Sequence, residues 1–206
     1  MIDDGSTPAL DAGEFPISNF QFPIQFLHQE HKGGSESAQR ARNLGFRHSK
    51  GEYIMFCDAD VIMQPSMLEK MMKVLQEHPE AAYAYSGFLL GRKAMPSFSF
   101  STQRLRNMPY IHMSSLLRRA AFPGLDETLK KFQDWDMYLT LLKNGHTGIW
   151  ISEILYTILP HTKYGISLWL PGFMYKIPWD AFGIHIGPIE RYHEGMKVIK
   201  KKHNLV

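Results

Sequence analysis

Residues 53–57 (Tyr-Ile-Met-Phe-Cys) form a continuous apolar run that stops abruptly at Asp58. An uninterrupted run of this kind predicts a strand that is buried on both faces, as in a parallel sheet. Short apolar runs alternate with segments of helical period along the rest of the chain, which predicts an α/β domain. With 206 residues, the chain is long enough for one domain with a sizeable core.

The apolar run leads into Asp58-Ala59-Asp60. In open α/β sheets, ligands bind at the carboxyl ends of the strands. Two carboxylates one residue apart can share a divalent cation and its bound phosphates, and oxygen ligands suit Mg²⁺ or Mn²⁺. Aspartate is also common in a turn or helix cap after a strand, so the tripeptide alone leaves both interpretations open.

The remaining elements are predicted from periodicity and from start and stop signals. Ser66 and Glu69 have the spacing of a capping box at the start of a helix. Residues 91–109 carry few periodic signals and are predicted to be a long loop of the kind that often serves function. The other predictions are helices over residues 35–48, 66–77 and 191–203, and strands over residues 83–90, 148–151 and 155–158.

Asp134-Trp135-Asp136 stands at the start of a further predicted helix. Its apolar face consists of Trp135, Tyr138, Leu139 and Leu142, and Gly145 follows its end. Asp134 has the position of an N-cap, for which aspartate is a favoured residue. A carboxylate at the rim of a site can also act as a general base, so the spacing alone favours the cap without excluding catalysis.

These pieces resemble, in order, the motifs of family 2 glycosyltransferases. The segments that carry the resemblance are residues 3–7 (Asp-Asp-Gly-Ser-Thr), 32–34 (Lys-Gly-Gly), 41–45 (Ala-Arg-Asn-Leu-Gly), 51–60 with its Asp-Ala-Asp, 124–127 (Gly-Leu-Asp-Glu) and 133–137 (Gln-Asp-Trp-Asp-Met). The likeness runs from residue 2 to about residue 160. It implies a GT-A fold, which is a Rossmann-like, mostly parallel sheet flanked by helices.

The resemblance implies a role for each matching residue. Asp3 or Asp4 would contact the nucleotide base, and Lys32 and Arg42 would help to bind the donor. Asp60 would ligate Mn²⁺ or Mg²⁺, with Asp58 shared between the metal and the ribose. His161 would be a further metal ligand near the diphosphate. Asp134 would be the general base for transfer of a sugar, with inversion, from a nucleotide diphosphate to an acceptor hydroxyl.

The expected partners are a nucleotide-diphospho-sugar donor and a saccharide, lipid-linked or protein acceptor. The net charge of +3 comes from scattered basic residues, so nucleic acid is not expected. Cys57 is the only cysteine, which excludes an internal disulfide and fits a cytoplasmic location. The aromatic segment after Tyr164 could make peripheral contact with a membrane surface.

The sequence also departs from the family pattern. Gln133 stands where the family has an acidic residue, and Val61 stands where many members have a third aspartate. Relatives have a first strand, a helix and the body of a second strand before the Asp-Asp-Gly-Ser motif. We therefore expect a GT-A domain over residues 1–160 that is incomplete at its N-terminus. Residues 161–206, an aromatic segment and a basic helix, are expected to belong to the same unit.

Two alternatives remain at this stage. The apolar run and Asp58-Ala59-Asp60 also resemble the nucleophile motif of haloacid-dehalogenase-type phosphatases, although no downstream Gly-Asp-x-x-x-Asp motif follows. The other alternative is a truncated, non-catalytic relic that binds a nucleotide-sugar.

Overall fold

A computed structural model of the chain describes residues 1–8, 10, 11, 13, 24–30, 37–160 and 172–205. The strands are β1 (Ile2–Asp3), β2 (Leu27–His28), β3 (Tyr53–Met55), β4 (Val61–Met63), β5 (Ala81–Leu90), β6 (Lys93–Ala94), β7 (Leu116–Arg118) and β8 (Thr147–Ile158). The α-helices are α1 (Ser37–His48), α2 (Met67–Glu77), α3 (Thr102–Asn107), α4 (Gln133–Lys143) and α5 (Gly187–Lys202). Short 3₁₀ helices cover Arg119–Ala121, Gly172–Lys176 and Trp179–Phe182.

The main sheet has the strand order β3-β7-β5-β8-β4, and β6 pairs with β5 beside it. The predicted α/β class is confirmed, but the strand directions are less uniform than the expected mostly parallel sheet. In the described sheets, β5 and β8 are parallel, as are β1 and β2, whereas the other pairs are antiparallel. The difference arises because β7 enters the sheet after a long excursion and β6 after a tight turn at Gly91, whose φ is 58°.

The strand predicted over residues 53–57 is shorter and less buried than expected. Strand β3 covers Tyr53–Met55, and only Ile54 is buried. The reason is that β3 stands at the end of the described strand order, where β7 is its one partner. Strand β5, at the centre of the sheet, is the strand that is covered on both faces, and its first eight residues are buried.

Two layers of side chains cover the sheet. On one side, Tyr83 and Tyr85 of β5 pack with the apolar face of α4, where Trp135 and Tyr138 are fully buried. On the other side, Ala84 and Phe88 pack in a cluster with Met67, Met71 and Leu75 of α2. Full burial of one such large side chain contributes about 1.5–3 kcal/mol, so α2 and α4 are held mainly by these faces.

The ends of the helices differ from the predictions at two places. Ser66 precedes α2, but its side chain makes no capping hydrogen bond, because its backbone (φ −87°, ψ 1°) is not in the extended conformation of a capping residue. Helix α4 begins two residues earlier than predicted, at Gln133, with Phe132 at its cap in the left-handed region (φ 62°). Asp134 therefore lies in the first turn and is not the N-cap.

The predicted end of α4 at Gly145 is confirmed. Gly145 has a φ of 83°, and its N–H donates to the carbonyl of Leu142 at 3.0 Å. The N–H of His146 donates to the carbonyl of Leu141 at 2.9 Å. These two bonds satisfy the last carbonyls of the helix in the way that a left-handed glycine allows.

Residues 91–109 are more ordered than the predicted loop, since they contain β6 and α3. Ser101 caps α3 with an extended backbone, and its side chain accepts a hydrogen bond from the N–H of Arg104. The two strands predicted over residues 148–151 and 155–158 are one strand, β8, whose pairing with β5 shifts register beside Gly87. A glycine fits there because a Cβ would lie 3.2 Å from the carbonyl oxygen of Glu153.

Helix α5 starts earlier than the predicted C-terminal helix and buries Ile189 and Ile199. Ile199 lies in the same apolar cluster as Trp135, so α5 packs onto the core beside α4. Among the helices in the described ranges, not one has the length and apolar character needed to cross a membrane.

Candidate functional site

Asp58-Ala59-Asp60 forms the turn between β3 and β4, and Arg42 of α1 holds it. The Nη2 atom of Arg42 donates to Oδ1 of Asp58 at 2.6 Å. The N–H of Val61 donates to the carbonyl of Asp58 at 3.1 Å, and the N–H of Leu159 donates to the carbonyl of Asp60 at 2.8 Å. The turn is thus fixed on one side by α1 and on the other by the end of β8.

Asp134 is a half-buried carboxylate in the first turn of α4. Its Oδ1 atom accepts a hydrogen bond from the N–H of Trp135 at 2.8 Å. Burial raises the pKa of Asp134 above the ordinary value, while His112, the N–H of Trp135 and Arg42 act against that rise. A carboxyl group with a raised pKa is a better proton acceptor than an exposed one, which suits a general base.

Electrostatic interactions join Asp134 to the turn after β3. The Arg42 guanidinium acts on Asp134 as well as on Asp58. Burial lowers the pKa of His112, and the carboxylates of Asp134, Asp58 and Asp60 all oppose that change. Electrostatic interactions with Arg42 or with His112 therefore link both aspartates of the tripeptide and Asp134.

His112 is part of this group, and the sequence interpretation missed it. It lies between α3 and β7, outside every segment that carried a motif. A single histidine has no spacing to distinguish it. Its place depends on Phe88 and Tyr156, which come from two different strands and lie on either side of it in the sequence.

Asp3 stands at the end of β1 and is 2% exposed. Its Oδ1 accepts hydrogen bonds from the Ser6 hydroxyl at 2.7 Å and the Ser6 N–H at 3.1 Å, and its Oδ2 is 2.8 Å from Nδ1 of His28. The hydrogen bond from the Ser6 hydroxyl is the largest cause that lowers the pKa of Asp3 to about 2. One oxygen is thus used within the motif and the other by β2, and Asp3 organises the turn.

Asp4 is the less buried of the two N-terminal aspartates. Its Oδ1 accepts a hydrogen bond from Nε2 of Gln29 at 2.5 Å, next to β2. Gly5 follows with a φ of 72°, which turns the chain immediately after the two carboxylates. The residue before the motif packs against α1: Cγ1 of Ile2 lies 3.4 Å from the position that a Cβ on Gly45 would occupy.

Asn43 ties α1 to the turn over residues 124–127. Its Nδ2 donates to the carbonyl of Leu125 at 2.9 Å and to Oε1 of Glu127 at 2.8 Å. Its Oδ1 accepts from the N–H of Leu125 at 2.9 Å. One amide side chain thus pairs with both backbone groups of Leu125. It joins the segment at residues 41–45 to the segment at residues 124–127.

Asp136, two residues after Asp134, is buried and paired with the end of α5. Its carboxylate accepts from Nζ of Lys202 at 2.9 Å and lies 2.7 Å from Nε2 of His203. Lys202 also donates to Asp126 at 2.6 Å. These ion pairs fix the first turn of α4 to the C-terminal helix and to the turn that Asn43 holds.

Two predicted site residues, Lys32 and His161, lie outside the described residues. Within the ranges that are described, no group of three or more His, Cys, Asp or Glu side chains could hold a metal ion. The carboxylates of Asp58 and Asp60 remain the candidate pair for a cation at the turn after β3.

The sequence matches a profile of glycosyl transferase family 2 over residues 1–118. An uncharacterized glycosyltransferase of Haemophilus influenzae is 27% identical over 161 residues, which cover 70% of this chain and 53% of that protein. The glycosyltransferase GlyG of Streptococcus pneumoniae is 38% identical over 81 residues, which cover 37% of this chain and 25% of that protein. The chain thus spans about half or less of the length of these relatives.

Among solved structures, the fold is similar to S. aureus TarS 1-349. The form in complex with UDP-GlcNAc gives a TM-score of 0.59 at 15% identity, with 92% of this chain and 59% of that chain covered. The form in complex with UDP gives a TM-score of 0.58 at 16% identity, with 77% and 50% covered. At this level of identity the likeness concerns the fold, and the predicted GT-A fold is confirmed.

Proposed function

The chain belongs to glycosyl transferase family 2, and from that membership we propose that it transfers a sugar from a nucleotide-diphosphate donor to an acceptor hydroxyl. A uridine diphosphate sugar is the first donor to test, because the structurally similar TarS is described in complex with UDP and UDP-GlcNAc. Family membership also removes the support for the phosphatase alternative, because the resemblance to phosphatases covers only the apolar run and Asp58-Ala59-Asp60.

One observation carries the proposal: the Arg42 guanidinium acts on both Asp58 and Asp134. Asp58 belongs to the tripeptide that the family resemblance assigns to the donor, and Asp134 belongs to the segment assigned to the acceptor. A site for group transfer needs these two functions side by side, because the acceptor oxygen must reach the carbon that the leaving group departs from.

Asp134 would take the proton from the acceptor hydroxyl as its oxygen attacks the anomeric carbon. Burial is the largest influence on its pKa and raises it, which increases its affinity for that proton. The attack would come from the face opposite the departing nucleotide diphosphate, so the anomeric configuration would invert. Arg42, Asp58 and the N-terminal Asp4 would hold the donor on its nucleotide side.

The chemistry of the carboxylate pair fits Mn²⁺ or Mg²⁺ that arrives with the donor. Mg²⁺ is commonly bound by one or two carboxylates together with substrate phosphates, and it does not require a complete cage of protein ligands. Asp60 and Asp58 would supply the protein oxygens, and His161 is a further proposed ligand. Such an ion supplies neutralisation of the charge that develops on the departing diphosphate.

The acceptor would be a saccharide, a lipid-linked molecule or a protein. The segment around α3 and the aromatic C-terminal segment are the proposed acceptor regions. Arg104 of α3 lies over the ring of Phe98 at 4.3 Å, and Phe173 and Phe182 are 63% and 69% exposed. Exposed phenylalanines beside a basic helix are compatible with peripheral contact to a membrane surface.

Calorimetry with UDP, with and without Mn²⁺, tests the proposal directly. We expect heat of binding that depends on Mn²⁺ and that falls in both Asp58→Asn and Asp60→Asn. Glu69→Gln, which changes a carboxylate in α2, is the matched control and should bind as the wild type does. Absence of Mn²⁺-dependent binding of UDP, GDP and dTDP alike would overturn the proposal, and binding without transfer would favour a non-catalytic relic.

A further inference from the structure

Phe132, the residue that precedes α4, has an unusual backbone. Its φ of 62° and ψ of 34° lie in the left-handed region, which is costly for a residue with a large side chain. Its carbonyl nevertheless accepts the first hydrogen bond of the helix, from the N–H of Asp136 at 2.9 Å. Residues in this conformation persist where the surrounding structure holds them, and they are concentrated at functional sites. The groups that pack around Phe132 therefore decide how α4 begins.

Helix α5 packs against the ring of Phe132. The ring centroid lies 5.1 Å from that of Tyr192, and the two rings are nearly perpendicular. One turn further along α5 stands Gly195, where a Cβ would lie 3.0 Å from two ring carbons of Phe132 and 3.1 Å from Cβ of Lys131. These distances are shorter than ordinary van der Waals contact, so the ring fits there because position 195 has no side chain.

Helix α5 also holds the other side of this first turn of α4. The carboxylate of Asp136 accepts from Nζ of Lys202 at 2.9 Å and lies 2.7 Å from Nε2 of His203. This second attachment comes about two helical turns after Gly195, so both lie on one face of α5. Asp134 thus stands between the two attachments, two residues after the first and two residues before the second.

We infer that Phe132 is a positioning residue for the carboxylate of Asp134. Helix α5 keeps Phe132 left-handed through Tyr192 and Gly195, and this start of α4 fixes where the carboxylate points. The carboxylate follows the backbone, because its Oδ1 accepts from the N–H of Trp135 at 2.8 Å. Phe132 takes no part in proton transfer and sets only the angle at which the base meets the acceptor hydroxyl. The inference rests on the proposed function, which takes Asp134 as the base.

Amide hydrogen exchange of the full chain tests the inference without substrate. Gly195→Ala is the smallest change that displaces Phe132, because the added methyl group meets the ring. Alanine also favours a helix more than glycine does, so the variant does not weaken α5 itself. We expect the Trp135 N–H, which is bonded to the Asp134 carboxylate, to exchange at least about tenfold faster. The N–H of Asn144, at the far end of α4, should stay within about twofold of the wild type.

Val198→Ala is the matched control, since it changes a residue of the same helix that is 52% exposed. Both exchange rates should then equal those of the wild type. Tyr192→Phe keeps the ring and should also behave as the wild type does, whereas Tyr192→Leu should speed the exchange of the Trp135 N–H. These two variants decide the matter if Gly195→Ala does not fold, and equal exchange in both would overturn the inference.

Two results with a folded Gly195→Ala would also overturn the inference. One is an unchanged exchange of the Trp135 N–H, which would mean that the ring of Phe132 does not hold the turn. The other is an equal increase along the whole of α4, which would mean that α5 contributes to stability alone.

Kinetics connect this position to the reaction. With UDP-GlcNAc and Mn²⁺, kcat for hydrolysis in Gly195→Ala is expected to fall about tenfold while KM stays within about twofold, because the donor side is unchanged. A raised KM with unchanged kcat would contradict the inference. The proposed function fails differently, if Asp134→Asn hydrolyses UDP-GlcNAc as fast as the wild type or if the wild type hydrolyses none. Hydrogen exchange decides the inference in either case.

Discussion

The guanidinium of Arg42 lies 2.6 Å from the carboxylate of Asp58, and the charge of Arg42 also acts on Asp134. Arg42→Gln removes this charge and the support for the turn after β3. We expect the Kd for UDP with Mn²⁺ to rise about tenfold, since a hydrogen bond to a charged group contributes about 1.5–3 kcal/mol. Calorimetry measures this change.

Arg40→Gln is the matched control for that experiment. Arg40 lies on the same helix, and its Nε is 4.0 Å from the carboxylate of Glu127, away from Asp58. The affinity of Arg40→Gln for UDP should stay within about twofold of that of the wild type, because the variant loses only a weak, exposed ion pair. Equal losses in both variants would mean that the positive charge of α1 as a whole, and not the pair with Asp58, determines binding.

Asp134→Asn is expected to keep donor binding and to lose transfer by at least about 100-fold, because the amide cannot take a proton. The active form of Asp134 is the carboxylate, and its pKa is raised. The wild-type rate should therefore rise with pH through a pKa above the ordinary 3.8 of an aspartate. A pH–rate profile measures this rise. Gln133→Ala, at the preceding residue, is the control and should show the same rise of the rate with pH.

Asp136→Asn is expected to lower the free energy of unfolding by about 3 kcal/mol, because it leaves the Lys202 ammonium and the buried His203 imidazole without their carboxylate partner. Asp136 is 4% exposed and pairs with both Lys202 and His203. Urea unfolding measures the loss. Asp126→Asn, which removes a single and more exposed pair with Lys202, should cost clearly less. Equal costs would contradict the view that Asp136 is the centre of this network.

Asp3 makes the N-terminal turn sensitive to acid. Its pKa is depressed from 3.8 to about 2 in the folded protein, so its contribution to stability is present above 3.8. That contribution is lost as the pH falls from 3.8 toward 2, because Asp3 binds a proton more weakly in the folded state than in the unfolded state. Melting temperatures across this range should fall less in Asp3→Asn than in the wild type. Asp11→Asn serves as a control for loss of a surface charge.

Local patterns were sufficient for the parts of the site that lie next to a strand end or a helix start. Asp58 follows a strand and Asp134 lies at the start of a helix, as the sequence predicts, because both positions depend on a few neighbouring residues, although Asp134 is in the first turn and not at the predicted N-cap. The roles of these residues are not decided by position alone. They stay predictions, as do those of Asp60, Lys32 and His161.

Contacts between distant segments could not be predicted. The apolar run at residues 53–57 has the composition of a central strand, yet among the described strands β3 pairs with β7 alone, while β5 is covered on both faces. Hydrophobicity does not specify which strand lies in the middle, since that depends on the order in which all strands pair. His112 was missed for the same reason, because Phe88 and Tyr156 position it only after β5 and β8 have paired.

The amide of Asn43 joins the donor side of the proposed site to its acceptor side. It lies next to Arg42 in α1, and it holds both backbone groups of Leu125 in the turn that leads toward α4. A displacement of Arg42 relative to this turn would strain these hydrogen bonds. A rotation of α1 when a donor binds would pull the approach to Asp134 with it, so filling one half of the site would adjust the other through a single side chain.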